Sequence, residues 1–441
     1  MNTRFTLTDE AIRVALTPAP QIVAPSDLGA SIRATVEATS QRRRWLSWVF
    51  PAPVSSSIRV LVLVGLVSLL MLVGLLIAVG ALRSPKPSLP ADAAMFRGGP
   101  GRTGLVLGPG PTSQPTILWE RSVGGAITAN MPAVVGGVVY VADAGGGVTA
   151  FDAAAGDVRW STRLGSAANT SPAVVGGLVV VGDTAGDVVA LDIRDGMRRW
   201  AFHTLGEVRS SPGIVEGIVY VGSADGNLYA LDLATGARRW AFVTGGAVSR
   251  TSAIDGGVVY VGSEGGIVNA VDAASGIRRW QKILGPGQVS SLAVQGGLVV
   301  AAGGLDDSAN AHILFGIDAA TGTDRWQFSA PTGAQLIIGA LGDASVFAPS
   351  DDGNVYAVDR ISGVARWHFG EHGSLGSPDA LAAGVLYVAG GDRSVYAVDE
   401  RSGGLLWQQA VTGQPGVPAV VGGRLYLATD LGSVVAIGGA P

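Results

Sequence analysis

The chain predicts an all-β fold: an eight-bladed β-propeller closed by an N-terminal outer strand, preceded by one transmembrane helix and a short N-terminal leader. Three observations carry that reading. Of ten Trp, eight stand at positions 119, 160, 200, 240, 280, 326, 367 and 407, spaced by 41, 40, 40, 40, 46, 41 and 40 residues. A period near 40 that holds four short strands is the signature of a propeller blade, because one four-stranded sheet cannot bury both faces until neighbours stack on it. Glycine supplies 66 of 441 residues, only four of them before residue 85, which is the composition of short strands joined by tight turns. A single run of 23 uncharged residues, Val60 to Leu82, precedes this repeat region.

Residues 1–57 read as a cytoplasmic leader with two short amphipathic helices. Thr8 caps a turn that begins Asp9-Glu10 and stops before Pro18, and Ser26 caps a second segment with Leu28, Ile32 and Val36 on one face. Residues 58–82 read as the membrane helix, about 34 Å long at 1.5 Å per residue against a hydrocarbon core of ~30 Å. Its flanking charges balance, with Arg42, Arg43, Arg44 and Arg59 on one side and Arg83, Lys86, Arg97 and Arg102 on the other. The orientation is set instead by the long C-terminal region, which translocates behind a signal-anchor helix, so the N-terminus is expected in the cytoplasm and the propeller outside it. Residues 83–94, including the proline-rich Ser84 to Pro90, read as a semi-rigid linker, and residues 95–441 as the propeller.

Charge and cysteine content exclude several functions. Residues 1–84 carry eight Arg against four carboxylates, a net +4, while the remainder carries 22 basic against 30 acidic residues, a net −8. An acidic propeller does not suit nucleic-acid binding, which needs phosphate neutralisation. The absence of cysteine removes disulfides, thiolate zinc sites, cysteine nucleophiles and a lipidated N-terminal cysteine.

Around each Trp runs the pattern Ala-x-Asp-x-x-x-Gly-x-x-x-Trp. It occurs at Ala150/Asp152/Gly156/Trp160, Ala190/Asp192/Gly196/Trp200, Ala230/Asp232/Gly236/Trp240, Ala270/Asp272/Gly276/Trp280, Ala357/Asp359/Gly363/Trp367 and Ala397/Asp399/Gly403/Trp407, with the variant Gly316/Asp318/Gly322/Trp326. The Asp accepts backbone N–H groups of the following turn, the Gly supplies a positive φ, and the small first residue leaves room for a neighbouring indole. The eight Trp, from Trp119 to Trp407, are accordingly assigned to docking between blades, and the seven aspartates to structure. The last hairpin, Arg424 to Ile437, has no outer strand, whereas Thr116 to Arg121 is an outer strand with nothing before it. Pairing the two closes the ring and removes both sheet edges.

The docking motif, together with Val219-Tyr220-Val221-Gly222-Ser223-x-Asp225-Gly226-x-Leu228-Tyr229-Ala230-Leu231-Asp232, resembles the pyrroloquinoline quinone (PQQ) type propeller repeat. Met95-Phe96-Arg97 to Thr103-Gly104 is similar to the leader that often precedes such propellers. The resemblance spans about residues 95 to 438 and implies one of two activities. Quinoprotein dehydrogenases of this family hold PQQ with Ca²⁺ beneath a cysteine disulfide, with ligands on inserted loops; the barrel-assembly lipoprotein is a scaffold for protein contacts. Without cysteine and with one notable insertion, this chain is expected to be a membrane-anchored, extracytoplasmic, non-catalytic scaffold for protein interaction or ligand sensing, with no cofactor. The alternative is a PQQ-binding oxidoreductase.

Three constellations remain. His368-Phe369-Gly370-Glu371-His372 matches the H-x-x-E-H zinc pattern but follows an outer strand, where a helix has no room, so no metal is expected. The 46-residue spacing places a longer hairpin at Gly303 to His312, whose Asp306 and Asp307 are candidate loop contacts. Aligning the inner strands at Pro172, Pro212, Ala253 and Ala293 puts Asn169, Arg209, Arg250 and Ser290 at one position, with Glu207 beside Arg209. These five are the candidate contacts at the channel mouth for a protein or small anionic ligand.

Overall fold

The computed structural model describes residues 92–106, 108–127, 131–304, 312–370 and 380–439. The leader, the membrane segment 58–82 and the linker up to residue 91 lie outside the described residues, as do Asp306, Asp307, Glu371 and His372. Among the described residues no helix is long and apolar enough to cross a membrane.

The described strands form eight sheets, six of four strands, one of five and one of three. In chain order the blades occupy residues 133–163, 173–203, 213–243, 253–283, 289–328, 345–369, 380–410 and 419–438, and are numbered 1 to 8 here. Blade 3 shows why the repeat folds this way. Gly213–Val215 and Ile218–Gly222 are joined by Glu216-Gly217, both at positive φ, and Asn227–Asp232 and Arg238–Val243 follow antiparallel. Every residue of Ile218–Gly222 is buried, whereas Arg238–Val243 has no buried residue, as expected when both faces of a blade are covered and its outer edge meets solvent. Blade 6 departs from the pattern: its inner strand is reduced to isolated bridges from Leu336 to Ser350 and from Leu341 to Val346.

Because first and third strands run the same way, the tight turns after them share one face of the ring, the turn face. The described blade-to-blade connections and central hairpins share the other, the loop face. The clasp forms as the unpaired hairpin required: Thr116–Ser122 pairs antiparallel with Ser433–Gly438, Trp119 opposite Ala436.

A second N-terminal element has no counterpart in the repeat. Residues 93–106, with Pro109, lie around the axis and offer an acceptor to every blade in turn. Ala93, Ala94, Pro100, Gly101, Thr103, Gly104 and Pro109 accept through their carbonyls from Val134, Val174, Ile254, Val294, Leu341, Leu381 and Gly423, and Met95 accepts through Sδ from Ile214, all between 2.6 and 3.3 Å. Leu105–Val106 also adds to blade 7 as a fifth, parallel, innermost strand. The free inner edges of the blades are thereby paired, which satisfies backbone groups that would otherwise be buried without partners.

Candidate functional site

The repeated carboxylates are structural. Asp232 Oδ1 accepts the N–H groups of Ala234 and Thr235, both at 3.1 Å, while Oδ2 takes Arg239 at 2.7 Å. The same arrangement recurs with Arg159 on Asp152, Arg199 on Asp192, Arg279 on Asp272, Arg325 on Asp318 and Arg366 on Asp359. Hydrogen bonds from the paired arginine and the turn hold these carboxyls below the ordinary Asp value, to about 2 at Asp318.

The eight Trp make one contact, repeated around the ring. Nε1 of Trp119, Trp160, Trp200, Trp240, Trp280, Trp326 and Trp367 donates to the carbonyl of Ala153, Ile193, Leu233, Ala273, Ala319, Arg360 and Glu400, each in the Asp turn of the following blade, at 2.8–3.1 Å. Blade 8 lacks an Asp turn, and the segment before the clasp replaces it: Trp407 Nε1 and Tyr387 Oη donate to Pro111 O at 2.8 and 3.1 Å. Burial is uneven, because each indole lies on an outer strand at the rim. Trp119, Trp160, Trp200, Trp326 and Trp407 are buried, whereas Trp240, Trp280 and Trp367 are only partly so.

The motif needs one correction, concerning which residue makes room for the neighbouring indole. The Ala of the motif is the cross-strand partner of the Trp within its own blade, as with Ala150 and Trp160, Ala190 and Trp200, Ala230 and Trp240, Ala270 and Trp280, and Ala357 and Trp367; Gly316 takes that place opposite Trp326. The Gly of the turn receives the indole of the preceding blade instead. A Cβ on Gly276, at φ +72, would lie 2.8 Å from the Trp240 ring, and one on Gly196, Gly236, Gly322, Gly363 or Gly403 would meet Trp160, Trp200, Trp280, Trp326 or Trp367 as closely.

At the axis, Arg97 and Arg102 are 2 % and 1 % exposed. Arg97 Nη2 donates to Gly339 O, and Arg102 donates to Ser252 O, Phe96 O and Pro212 O at 2.9–3.0 Å and to Ser211 O at 3.3 Å. Burial and the neighbouring Arg97 charge push Arg102 down to about 9, which leaves it protonated at neutral pH. The axis is therefore occupied by the chain's own guanidinium groups, each bonded to backbone carbonyls.

Asn169, Glu207, Arg209, Arg250 and Ser290 lie on the loop face, with one correction of register. Met131, Ser171 and Ser211 donate their backbone N–H to the hydroxyls of Ser171, Ser211 and Thr251, linking equivalent positions of blades 1 to 4. Ala173, Gly213, Ala253 and Ala293 are likewise equivalent, pairing with Val180, Tyr220, Tyr260 and Val300. Pro172 and Pro212 thus correspond to Ser252 and Leu292; blades 4 and 5 have no proline there, and aligning their Ala instead shifts them by one residue. Asn169 and Arg209 share one position, and Arg250 and Ser290 share the next, where Thr170 and Ser210 are fully buried.

The side chains then separate. Arg209 Nε is paired with Glu207 Oε2 at 2.6 Å, the two side chains 58 % and 42 % exposed. Arg250 is exposed and makes no ion pair among the described residues. Ser290 is buried, its hydroxyl donating to Ala302 O at 3.3 Å, as Thr170 does to Gly182 O. Asn169 is partly buried. Sequence reading missed exposed apolar residues on the same face: Leu205, Val243 and Ile283 are 88 %, 76 % and 69 % exposed, at or just beyond the loop-face ends of three successive outer strands. The available signal was that Val243 and Ile283 stand where blades 1 and 2 carry Arg163 and His203.

These features define a closed propeller of the PQQ-like repeat class whose axis and turns are stabilised by its own side chains. Residues 112–254, 243–370 and 351–440 match the family described as outer membrane protein assembly factor BamB, and the chain belongs to that family. No curated protein matches the sequence. Among solved structures, BamB from Moraxella catarrhalis is similar at 22% identity and a TM-score of 0.62, covering 74% of this chain and 98% of its own. Quinohemoprotein alcohol dehydrogenase from Comamonas testosteroni aligns at 14% identity and a TM-score of 0.69, covering 81% of this chain and 82% of its own. The alcohol dehydrogenase ADHIIG from Pseudomonas putida HK5 aligns at 16% and 0.68, covering 79% and 80%. Identities this low speak to fold alone.

Among the described residues no group of three or more His, Asp or Glu could hold a metal ion. Of the motif aspartates, six are bonded to arginine as well as to their own turns, and Asp399 is held by its turn alone.

Proposed function

We propose that the chain is a membrane-anchored, extracytoplasmic propeller that acts as a non-catalytic scaffold and docks a protein partner on the loop face of blades 2 to 4. The observation that carries the reading is that exposed Leu205, Val243 and Ile283 lie on the same face as Arg209 and Arg250 in successive blades. Exposed apolar side chains rimmed by charge mark protein contacts more often than catalytic sites. Membership of a family described by an assembly factor supports a role in protein contacts, and the uncharged run Val60 to Leu82 supports anchoring. Arg250 supplies the cation for an acidic group of the partner, whereas Arg209 first has to leave Glu207.

A photo-reactive amino acid placed at Leu205 or Val243 of the full chain in native membranes tests this. A discrete adduct is expected from both positions, lost on Arg209→Ala with Arg250→Ala and absent when the label sits on the turn face at Ile361. Equal labelling from Ile361 would remove the assignment of face. Quinone absorbance and dye-linked alcohol oxidation after addition of PQQ and Ca²⁺ would overturn the non-catalytic reading.

A further inference from the structure

At the junction of blades 8 and 1 the turn face opens into a cleft of about 440 Å³, lined among others by Val134, Asp152, Arg159, Val421, Arg424 and Tyr426. One carbonyl in it is over-subscribed. Trp119 Nε1, Tyr426 Oη and Arg424 Nη1 all donate to Ala153 O, at 3.1, 3.2 and 3.3 Å. A carbonyl oxygen has two lone pairs, and the matching carbonyl between blades 3 and 4, Ala273 O, takes only Trp240 at 3.1 Å and Tyr220 at 3.0 Å. Arg424 is the surplus donor, and its bond is the longest of the three.

Arg424 is also out of pattern. It opens the second strand of its blade, where the other seven blades place Val138, Leu178, Ile218, Val258, Leu298, Ser345 and Val385. It is partly buried and makes no ion pair among the described residues. The cleft's carboxylate, Asp152, is engaged by Arg159 at 2.8 Å and by the N–H groups of Ala154 and Ala155. The site is therefore a half-buried guanidinium that shares Ala153 O with two other donors and otherwise meets the Tyr426 hydroxyl, with no carboxylate of its own, beside apolar walls at Val134 and Val421.

We propose that this cleft binds a small carboxylate ligand through Arg424. A carboxylate accepts two parallel N–H bonds from a guanidinium, releases Ala153 O to Trp119 and Tyr426, and carries the single charge that one cation balances. A phosphate dianion would leave a charge uncompensated in the cleft. The site lies on the opposite face from the proposed partner surface and stands independently of it.

The test uses the purified full chain in detergent with ¹⁵N-labelled indoles. The Trp119 indole N–H signal, assigned by its loss in Trp119→Phe, reports on Ala153 O directly. Titration with acetate and succinate at constant ionic strength should shift it saturably at millimolar concentration, with inorganic phosphate at least ten-fold weaker. Arg424→Leu, which installs the residue type of blades 2 and 5, should abolish the shift without lowering the melting temperature, while Arg209→Ala should leave the titration unchanged. A shift that persists in Arg424→Leu, or one that phosphate alone produces, would overturn the proposal. So would Arg424→Leu melting several degrees lower, since a structural role for the guanidinium predicts that loss.

Discussion

Arg102 is buried at the axis, and Arg102→Met tests whether its hydrogen bonds outweigh the cost of burying a charge. Met keeps most of the length and apolar stem, and at φ 56 the backbone strain is the same for both residues. The substitution removes bonds to Ser252 O, Phe96 O, Ser211 O and Pro212 O. Each buried carbonyl left without a donor costs about 1–3 kcal/mol. Removal of an isolated buried charge works the other way, because its desolvation penalty of several kcal/mol disappears. Arg102 is not isolated in that sense: four carbonyl dipoles point at it, and the loss should dominate by about 3–5 kcal/mol, the range seen when one partner of a buried charged contact is removed. For a domain of this size that corresponds to a melting temperature roughly 4–7 °C lower. Thermal melts followed by circular dichroism and by Trp fluorescence provide the measurement, with Arg102→Lys, which keeps the charge but not the fork, expected between the two. A melting temperature for Arg102→Met equal to or above that of the parent would refute the reasoning and show that desolvation wins at the axis.

Two further outcomes follow from the closure and the motif. A chain beginning at Ser122 loses both the clasp and residues 93–109, and should melt far below one beginning at Ala91; equal melting temperatures would defeat the closure scheme. The motif carboxyls are held below 3.8, their ordinary value, so they stabilise the fold above that pH and the contribution is lost as pH falls toward about 2 at Asp318. The melting temperature should thus be flat between pH 5 and 7 and fall below about pH 4, with a shallower fall in Asp318→Asn; an unchanged slope in that variant would count against the assignment.

Blade number, blade boundaries and the clasp were legible because they rest on periodic residues. A Trp every 40 positions, an Asp eight before it and a Gly four before it each recur at a site with one steric solution, and the odd strand at Thr116 to Arg121 had one free edge to fill. Which small residue meets which indole was not legible, since spacing along the chain does not say whether a Trp faces its own blade or the next. The axial segment was hidden for a related reason. Gly98, Gly101 and Gly104 mark an irregular path but do not say what it wraps, and a positive φ at Arg97 and Arg102 has no sequence signature. The candidate site was half legible: Arg209 and Glu207 were found together, but the register of Arg250 and Ser290 depends on which residue begins the inner strand, a distinction of one position that a proline in two blades of four obscured. The exposed Leu205, Val243 and Ile283 look in sequence like ordinary strand residues, because only the position of each relative to its outer edge tells solvent from core.

The path of residues 93–106, with Pro109, also governs the order in which the molecule can come together. The segment is synthesised before any blade, yet its acceptors are met one by one by Val134, Val174, Ile214, Ile254, Val294, Leu341, Leu381 and Gly423 as the chain lengthens. The early residues act as a spindle on which successive sheets are threaded, and Thr116 finds its partner at Gly438 only once all eight blades have been made. Contacts this distant in sequence make closure slow compared with the hairpins that compose each blade. A nascent chain therefore remains an open arc, with its last edge unpaired, until its final strand has been released.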